Sequence, residues 1–182
     1  MGVDPFLALV LILFLAGICG LISGVIIVNM NLNPFIVTLA MMNVISGATY
    51  LISNGIPISF NTYLNFLGGN IGEIPVAIFV MLIIMVIGHI VLSKTEYGRN
   101  VFAVGGNERA ARLSGINVSR IKCSVYVMTA VLAALTGVIT CANLNSGDVS
   151  TGSGYELNVI AACVIGGCSL DGGKGSILGV FI

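Results

Sequence analysis

Residues 6–28 form an unbroken run without a single charged side chain. No small water-soluble domain easily hides such a run, whereas a helix of that length reaches about 35 Å and crosses a hydrocarbon core of about 30 Å with some tilt. The rest of the chain agrees. Of 182 residues, 57% are hydrophobic and 8% charged, and the mean hydropathy is +1.10, which leaves too little polar surface to face water. The bilayer is the expected solvent. The expected fold class is all-α, a polytopic transmembrane helical bundle that makes one membrane domain of residues 1–182.

Further apolar runs at 35–52, 74–92 and 123–144 predict three more spans. The run at 157–170 is short for a span and contains Gly166 and Gly167, the pattern of a re-entrant half-helix. A last apolar segment starts at 175 and stops at Ile182, so the chain reads as truncated, at both ends. No positively charged leader precedes Phe6, and the first run is too long for a signal-peptide core, so it reads as a span. Gly20 and Gly24 form a GxxxG that lets another helix approach, and Ala130, Ala133, Ala134 and Gly137 give the fourth span a small-residue face. The very short turn "NMNLNP" makes the first two spans antiparallel neighbours. Residues 53–75, rich in Gly, Asn and Pro with interleaved aromatics, suit an external connection holding one interfacial helix.

Residues 94–122 hold six of the seven basic residues (Lys94, Arg99, Arg109, Arg112, Arg120 and Lys122) and only Glu96 and Glu108 of the acids, for a net charge of +4 against −4 in the remainder. Basic excess in a short connection marks the cytoplasmic side. The spans then alternate inward, outward, inward, outward from 6–28 to 123–144, and Asp4, Glu73, Asp148 and Glu156 fall outside. Charge alone would not require helix punctuation, yet this connection has it. Asn107 is an N-cap, Glu108 suits a first turn, and Gly115 followed by Ile116 fits a helix stop with its apolar contact. Asn117 caps a second helix that carries Arg120 and Lys122 and feeds the fourth span. Such short basic helices suit a cytoplasmic protein partner or anionic lipid headgroups.

At these residues the sequence resembles the permease subunits of ribose-type simple-sugar ATP-binding-cassette importers. The resemblance is carried by "TEYGRNVFAVGGNERAARLSGINVSRIK", with "NPFIVTLAMMNVISGATYLISNGIPI" before it and "GYELNVIAACVIGGCSLDGGKGSILG" after it. It implies an inner-membrane, multi-pass subunit that works with a second permease copy, a separate ABC ATPase subunit and an external sugar-binding protein. It also implies that the cytoplasmic loop 93–122 forms coupling helices that dock on the ATPase. Carried over residue by residue, the coupling surface is Tyr97, Gly98, Arg99, Gly105, Gly106, Asn107, Arg109, Ala110, Ala111, Arg112, Leu113 and Gly115. Glu156, Gly166, Gly167, Gly172, Gly173 and Gly175 would lie around the half-helix near the outer side. Cys163 and Cys168 depart from the small or hydroxylated residues expected at their positions.

Other function classes have less support. A secondary transporter needs ionisable groups inside its spans, and here only His89 qualifies, close to an inner end where an imidazole can snorkel. A neutral polar path suits an uncharged solute. Thr38, Asn43, Ser46 and Thr49 could line it together with Glu156, Gly166 and Gly167, or could instead bond helix to helix. No catalytic, cofactor or metal site is expected. A phosphate loop ending at Gly173 and Lys174 would need Gly at 168 and Ser or Thr at 175, where Cys168 and Gly175 stand, so ATP hydrolysis would belong to another chain. Cys19, Cys123, Cys141, Cys163 and Cys168 are odd in number and contain no CxxC, so neither a disulfide framework nor a zinc site is encoded. The lipid bilayer is an expected partner and nucleic acid is not. The alternative reading is a secondary transporter, or a scaffold without transport whose basic loop binds anionic lipid.

Overall fold

Asparagines set the ends of the first two helices. Pro5 opens helix α1 (Pro5–Met30), which stops where Asn31 turns left-handed (φ +49). Two residues later Asn33 accepts the Phe35 N–H at 2.9 Å and caps α2 (Pro34–Ser53), with Pro34 in its first position. Asn54, also left-handed, ends α2. The computed structural model describes residues 4–59 and 63–181. Phe60, Asn61 and Thr62 of the expected external connection, and Ile182 of the last segment, lie outside the described residues.

The chain continues through β1 (Ile58–Ser59), a 3-10 helix (Tyr63–Gly68), β2 (Asn70–Ile71) and β3 (Ile74–Pro75) to α3 (Val76–Lys94). Helices α4 (Glu96–Gly106), α5 (Glu108–Leu113) and α6 (Val118–Leu144) follow, then β4 (Ser146–Gly147), α7 (Tyr155–Ile165) and α8 (Ile177–Phe181). The architecture is all-α, and α1, α2, α3 and α6 are long and apolar enough to cross a membrane. Three details differ from the reading of the sequence. The connection of residues 53–75 holds a 3-10 helix and short strands, because Gly72 (φ +67) turns Asn70–Ile71 back on Ile74–Pro75. Ile74 and Pro75 therefore precede the third helix. The short helix expected at Arg120 and Lys122 is the start of α6 itself, since no proline or glycine interrupts residues 118–136.

Two compact units form, one from Met1–Ile78 with Cys123–Thr151 and the other from Phe79–Lys122 with Gly152–Ile182. In the first, α1 lies directly on α6. A methyl group at Gly20 would stand 2.6 Å from the Tyr126 carbonyl oxygen and 2.8 Å from Ala130 Cβ, and one at Gly24 would stand 3.0 Å from Cys123 Cα. Ser23, between them, is buried and donates its hydroxyl to the Cys19 carbonyl at 2.9 Å, so this buried hydroxyl has its partner. At the far end β1 pairs antiparallel with β4, Ile58 opposite Gly147 and Ser59 opposite Ser146. The segments that follow α2 and α6 are thus stitched together on one side. In the second unit, Val104, Ala111 and Val118 make a small core, with Ile116 and Ile121 against it.

The α1 contact has a measurable consequence. Gly20→Val in the full-length protein should force α1 from α6 at a cost of about 1–3 kcal/mol and lower the thermal-unfolding midpoint in detergent. Gly47→Ala, with open space around it, should leave the midpoint unchanged. Equal midpoints for both variants would contradict this packing.

Candidate functional site

The basic connection begins at a hydroxyl that serves two helices. Thr95 Oγ1 donates to the Val91 carbonyl at 2.6 Å and accepts the Gly98 N–H at 3.3 Å, so it ends α3 and caps α4 together. Gly98 is buried against the Leu92 backbone, where a β-carbon would collide with the Leu92 carbonyl. Helix α4 was not read from the sequence, although Thr95 followed by Glu96 carries its N-terminal signal.

Helix α5 is capped at both ends. Asn107 Oδ1 accepts the Ala110 N–H at 3.0 Å. At the other end Gly115 (φ +82) donates to the Arg112 carbonyl and Ile116 to the Ala111 carbonyl, each at 3.1 Å, while Ile116 packs into the small core. This paired turn is a Schellman motif with its apolar contact. Asn117 Oδ1 then accepts the Arg120 N–H at 3.1 Å and starts α6. A six-residue helix too short to persist alone is held rigidly on the core.

The twelve expected coupling residues divide by burial. Arg99, Gly106, Asn107, Arg109, Ala110, Arg112, Leu113 and Gly115 are exposed, and Tyr97 and Gly105 are half-buried. Gly98 and Ala111 are buried. Ala111 is only 4% exposed and sits between Val104 and Val118, so it holds α5 in place and offers no docking surface. Leu113 is 91% exposed, a large apolar side chain held out from a basic helix.

The turn after α7 packs against α4. Gly166 and Gly167 close α7 with a second Schellman turn: Gly167 (φ +82) donates to the Val164 carbonyl at 3.0 Å and Cys168 to the Cys163 carbonyl at 2.9 Å. A β-carbon on Gly166 would stand 2.5 Å from Val180 Cα, so α8 crosses the end of α7 backbone to backbone. Gly172 and Gly173, both at positive φ, lie on the end of α4: a β-carbon on Gly105 would stand 2.6 Å from the Gly173 nitrogen, and one on Gly173 would stand 2.6 Å from Gly106 Cα. The turn of Gly172, Gly173 and Gly175 therefore lies beside α4 and the Lys94 end of α3. Glycine makes this possible, because only backbones without side chains approach so closely. A cavity of about 760 Å³ opens between these elements, lined by His89, Ser93, Cys163, Cys168 and Lys174 among mainly apolar neighbours. Glu156 stands in the first turn of α7.

Of the second-span residues, Thr38 and Ser46 line a cavity of about 360 Å³ in the first unit, with Ser23, Tyr126 and Thr129. Asn43 and Thr49 do not line it, and Thr49 donates to the Ile45 carbonyl at 2.8 Å. Thr38 and Thr129 donate to carbonyls one turn back, at 3.0 and 2.9 Å, as Ser23 does. Each such oxygen keeps a free lone pair. Among the described residues the wall offers these hydroxyls between apolar neighbours such as Met41, Met42 and Ile45, and no Asp, Glu, Lys, Arg or His lines it. Among the described residues no group of three or more His, Cys, Asp or Glu could hold a metal ion.

Residues 1–182 match the family described as branched-chain amino acid transport system / permease component. The chain is 40% identical over 186 residues to the ribose import permease protein RbsC of Escherichia coli strain K12, which covers 99% of this chain and 58% of that protein. It is 42% identical over 191 residues to the ribose import permease protein RbsC of Bacillus subtilis strain 168, covering 100% and 58%. With the L-arabinose ABC transporter permease protein AraH of Azospirillum brasilense it shares 41% over 168 residues, covering 91% and 50%. The chain thus spans somewhat more than half the length of the ribose proteins it matches. No solved structure matches it.

Electrostatics ties α5 to α6. Glu108 accepts from Lys122 Nζ at 2.5 Å and from Arg112 at 2.7 Å, and these two hydrogen bonds, Lys122 first, hold its carboxyl below the ordinary 4.5. A lowered folded value means that the contribution is complete above pH 4.5 and is lost as pH falls through the folded value. Hydrogen exchange of the α5 amides, corrected for intrinsic rates, should therefore accelerate on acidification below that range. Glu108→Gln should weaken protection at neutral pH and remove the acid step. A variant with unchanged protection would show that the cap and the apolar core alone hold α5.

Proposed function

The chain belongs to the family described as branched-chain amino acid transport system / permease component, and on that premise we propose that it is the membrane-spanning permease subunit of an ATP-driven importer for ribose or a similar simple sugar. It is a multi-pass protein of the inner membrane. Its basic connection docks on a separate ATPase subunit, which hydrolyses the ATP. An external sugar-binding protein delivers the solute, and a second permease copy completes the path.

The observation that carries the coupling role is Leu113. An apolar side chain that is 91% exposed, on a helix fixed by two caps and an ion cluster, is suited to a pocket on a partner, with Arg109 and Arg112 able to donate to its carboxylates or carbonyls. The family description and the relatives differ in solute, one naming branched-chain amino acids and the others ribose or arabinose. The chemistry of the smaller cavity favours the sugar. A zwitterionic amino acid requires partners for two charges, whereas hydroxyl acceptors in an uncharged wall suit a polyol.

Movement follows from the glycine contact. Displacement of α5 and α4 by the ATPase reaches the Gly172–Gly173 turn through Gly105 and Gly106, and from there the end of the α7 half-helix. Transport requires that the partner favour one of two arrangements of this joint by differential contact.

Photocrosslinking in membranes tests the docking. In the full-length protein, probes at Leu113 and Arg109 should crosslink to the ATPase in a nucleotide-sensitive way, while probes at buried Ala111 and at Asn145 in the opposite connection should not. Crosslinks from Leu113 to lipid alone would leave a membrane scaffold. Transmission is tested separately. Gly105→Ala should reduce sugar uptake per ATP hydrolysed by about fivefold or more, as roughly 1 kcal/mol of overpacking at the joint implies. Gly106→Ala, whose own β-carbon points into open space, should stay near wild type. Equal coupling in both variants would rule out the joint.

A further inference from the structure

Cys163 and Cys168 occupy the two positions that the turn closing α7 brings together. Cys168 donates its N–H to the Cys163 carbonyl oxygen at 2.9 Å. Adding about 2.4 Å from Cα to carbonyl oxygen and about 1.5 Å from N to Cα bounds the Cα–Cα separation at about 6.8 Å, the upper edge of the range in which a disulfide closes without backbone movement. The residues three places before and two places after such a turn are also those whose side chains meet. Both cysteines are free, both are half-buried, and both line the same cavity of about 760 Å³. Gly175 leaves room for the sulfur: a β-carbon there would stand 2.8 Å from Cys168 Sγ. The other three cysteines belong to the other unit.

We propose that Cys163 and Cys168 form a redox-responsive dithiol that closes a disulfide across Gly166 and Gly167 when a peroxide reaches the cavity, and reopens when a thiol reduces it. The chemistry balances. One thiolate attacks hydrogen peroxide, the O–O bond breaks, and a sulfenic acid and one water form. The second thiolate then attacks that sulfur and expels the oxygen as a second water. Two thiols have lost two electrons and two protons, and the peroxide has become two waters. Thiol–disulfide exchange with a small thiol reverses the step. A disulfide beside the basic connection would face the reducing side of the membrane, where such bonds are transient.

The ring closed by this bond contains Gly166, where α8 crosses α7, and Gly167, whose positive φ forms the turn. Oxidation therefore pins the end of the half-helix. On the importer reading, on which this consequence rests, pinning that end slows transport.

Inside-out vesicles carrying the full-length protein, treated with hydrogen peroxide, alkylated and analysed by mass spectrometry, test the chemistry. Expected is a peptide containing both cysteines that has lost the mass of two hydrogen atoms and resists alkylation until dithiothreitol is added. Cys163→Ser should leave Cys168 unable to pair, and Cys168→Ser the reverse. Full alkylation of both thiols after peroxide, or a bond to another chain, would overturn the proposal. Uptake by right-side-out vesicles of the same preparation should fall on oxidation, recover with dithiothreitol, and be insensitive in the double Ser variant. A disulfide that forms with uptake unchanged would overturn the regulatory role. Absence of uptake in untreated wild-type vesicles would instead count against the importer reading, which the mass measurement does not use.

Discussion

Hydrocarbon contains no water to take up a free backbone N–H or C=O, so a helix end that lies away from water must carry its own partners. The helix ends show how that constraint is met. Asn31 and Asn54 turn left-handed to finish α1 and α2, and Asn33 caps the start of α2 within a three-residue turn. Thr95 serves α3 and α4 with one hydroxyl. Gly115 and Gly167 close α5 and α7 with the same two-bond motif. The second of these turns pairs the Cys163 and Val164 carbonyls, which α7 itself would leave open.

The same economy of side chains connects the basic segment to the half-helix. Gly105 on one side and Gly172 and Gly173 on the other bring two backbones closer than a residue with a β-carbon at any of these three positions allows. Close packing transmits displacement well, because interiors have little free volume to absorb it. The end of α4 therefore meets the turn that follows α7 backbone to backbone. The ion cluster at Glu108 and the core of Val104, Ala111 and Val118 hold α5 against α4 and α6.

Much of this was legible because its chemistry is local. Asn107, Gly115 and Ile116 declare a capped helix within a few positions of one another, and unbroken apolar runs declare spans. The missed features are non-local or ambiguous. Helix α4 was hidden by Gly98, Gly105 and Gly106, which lower helix propensity but serve close approaches that sequence does not reveal. Nothing in "ERAARL" says which alanine faces inward, since six residues give too little periodicity and the residues that bury Ala111 come from α4 and α6. The packing of the glycine turn on α4 is not legible for a related reason: its composition announces close approach, but not to what. In the second span, hydroxyl spacing was readable, while the separation of Thr38 and Ser46 from Asn43 and Thr49 depends on how α2 faces α1 and α6.

The central claim is that the basic segment and the half-helix end respond as one body. The most direct measurement is hydrogen exchange on the full-length permease assembled with its ATPase, nucleotide-free and trapped with ATP, comparing amides of α5 with those of Cys168 to Gly173. Trapping ATP should change protection in both segments together. A change confined to α5, with the glycine turn exchanging at the same rate in both states, would contradict it.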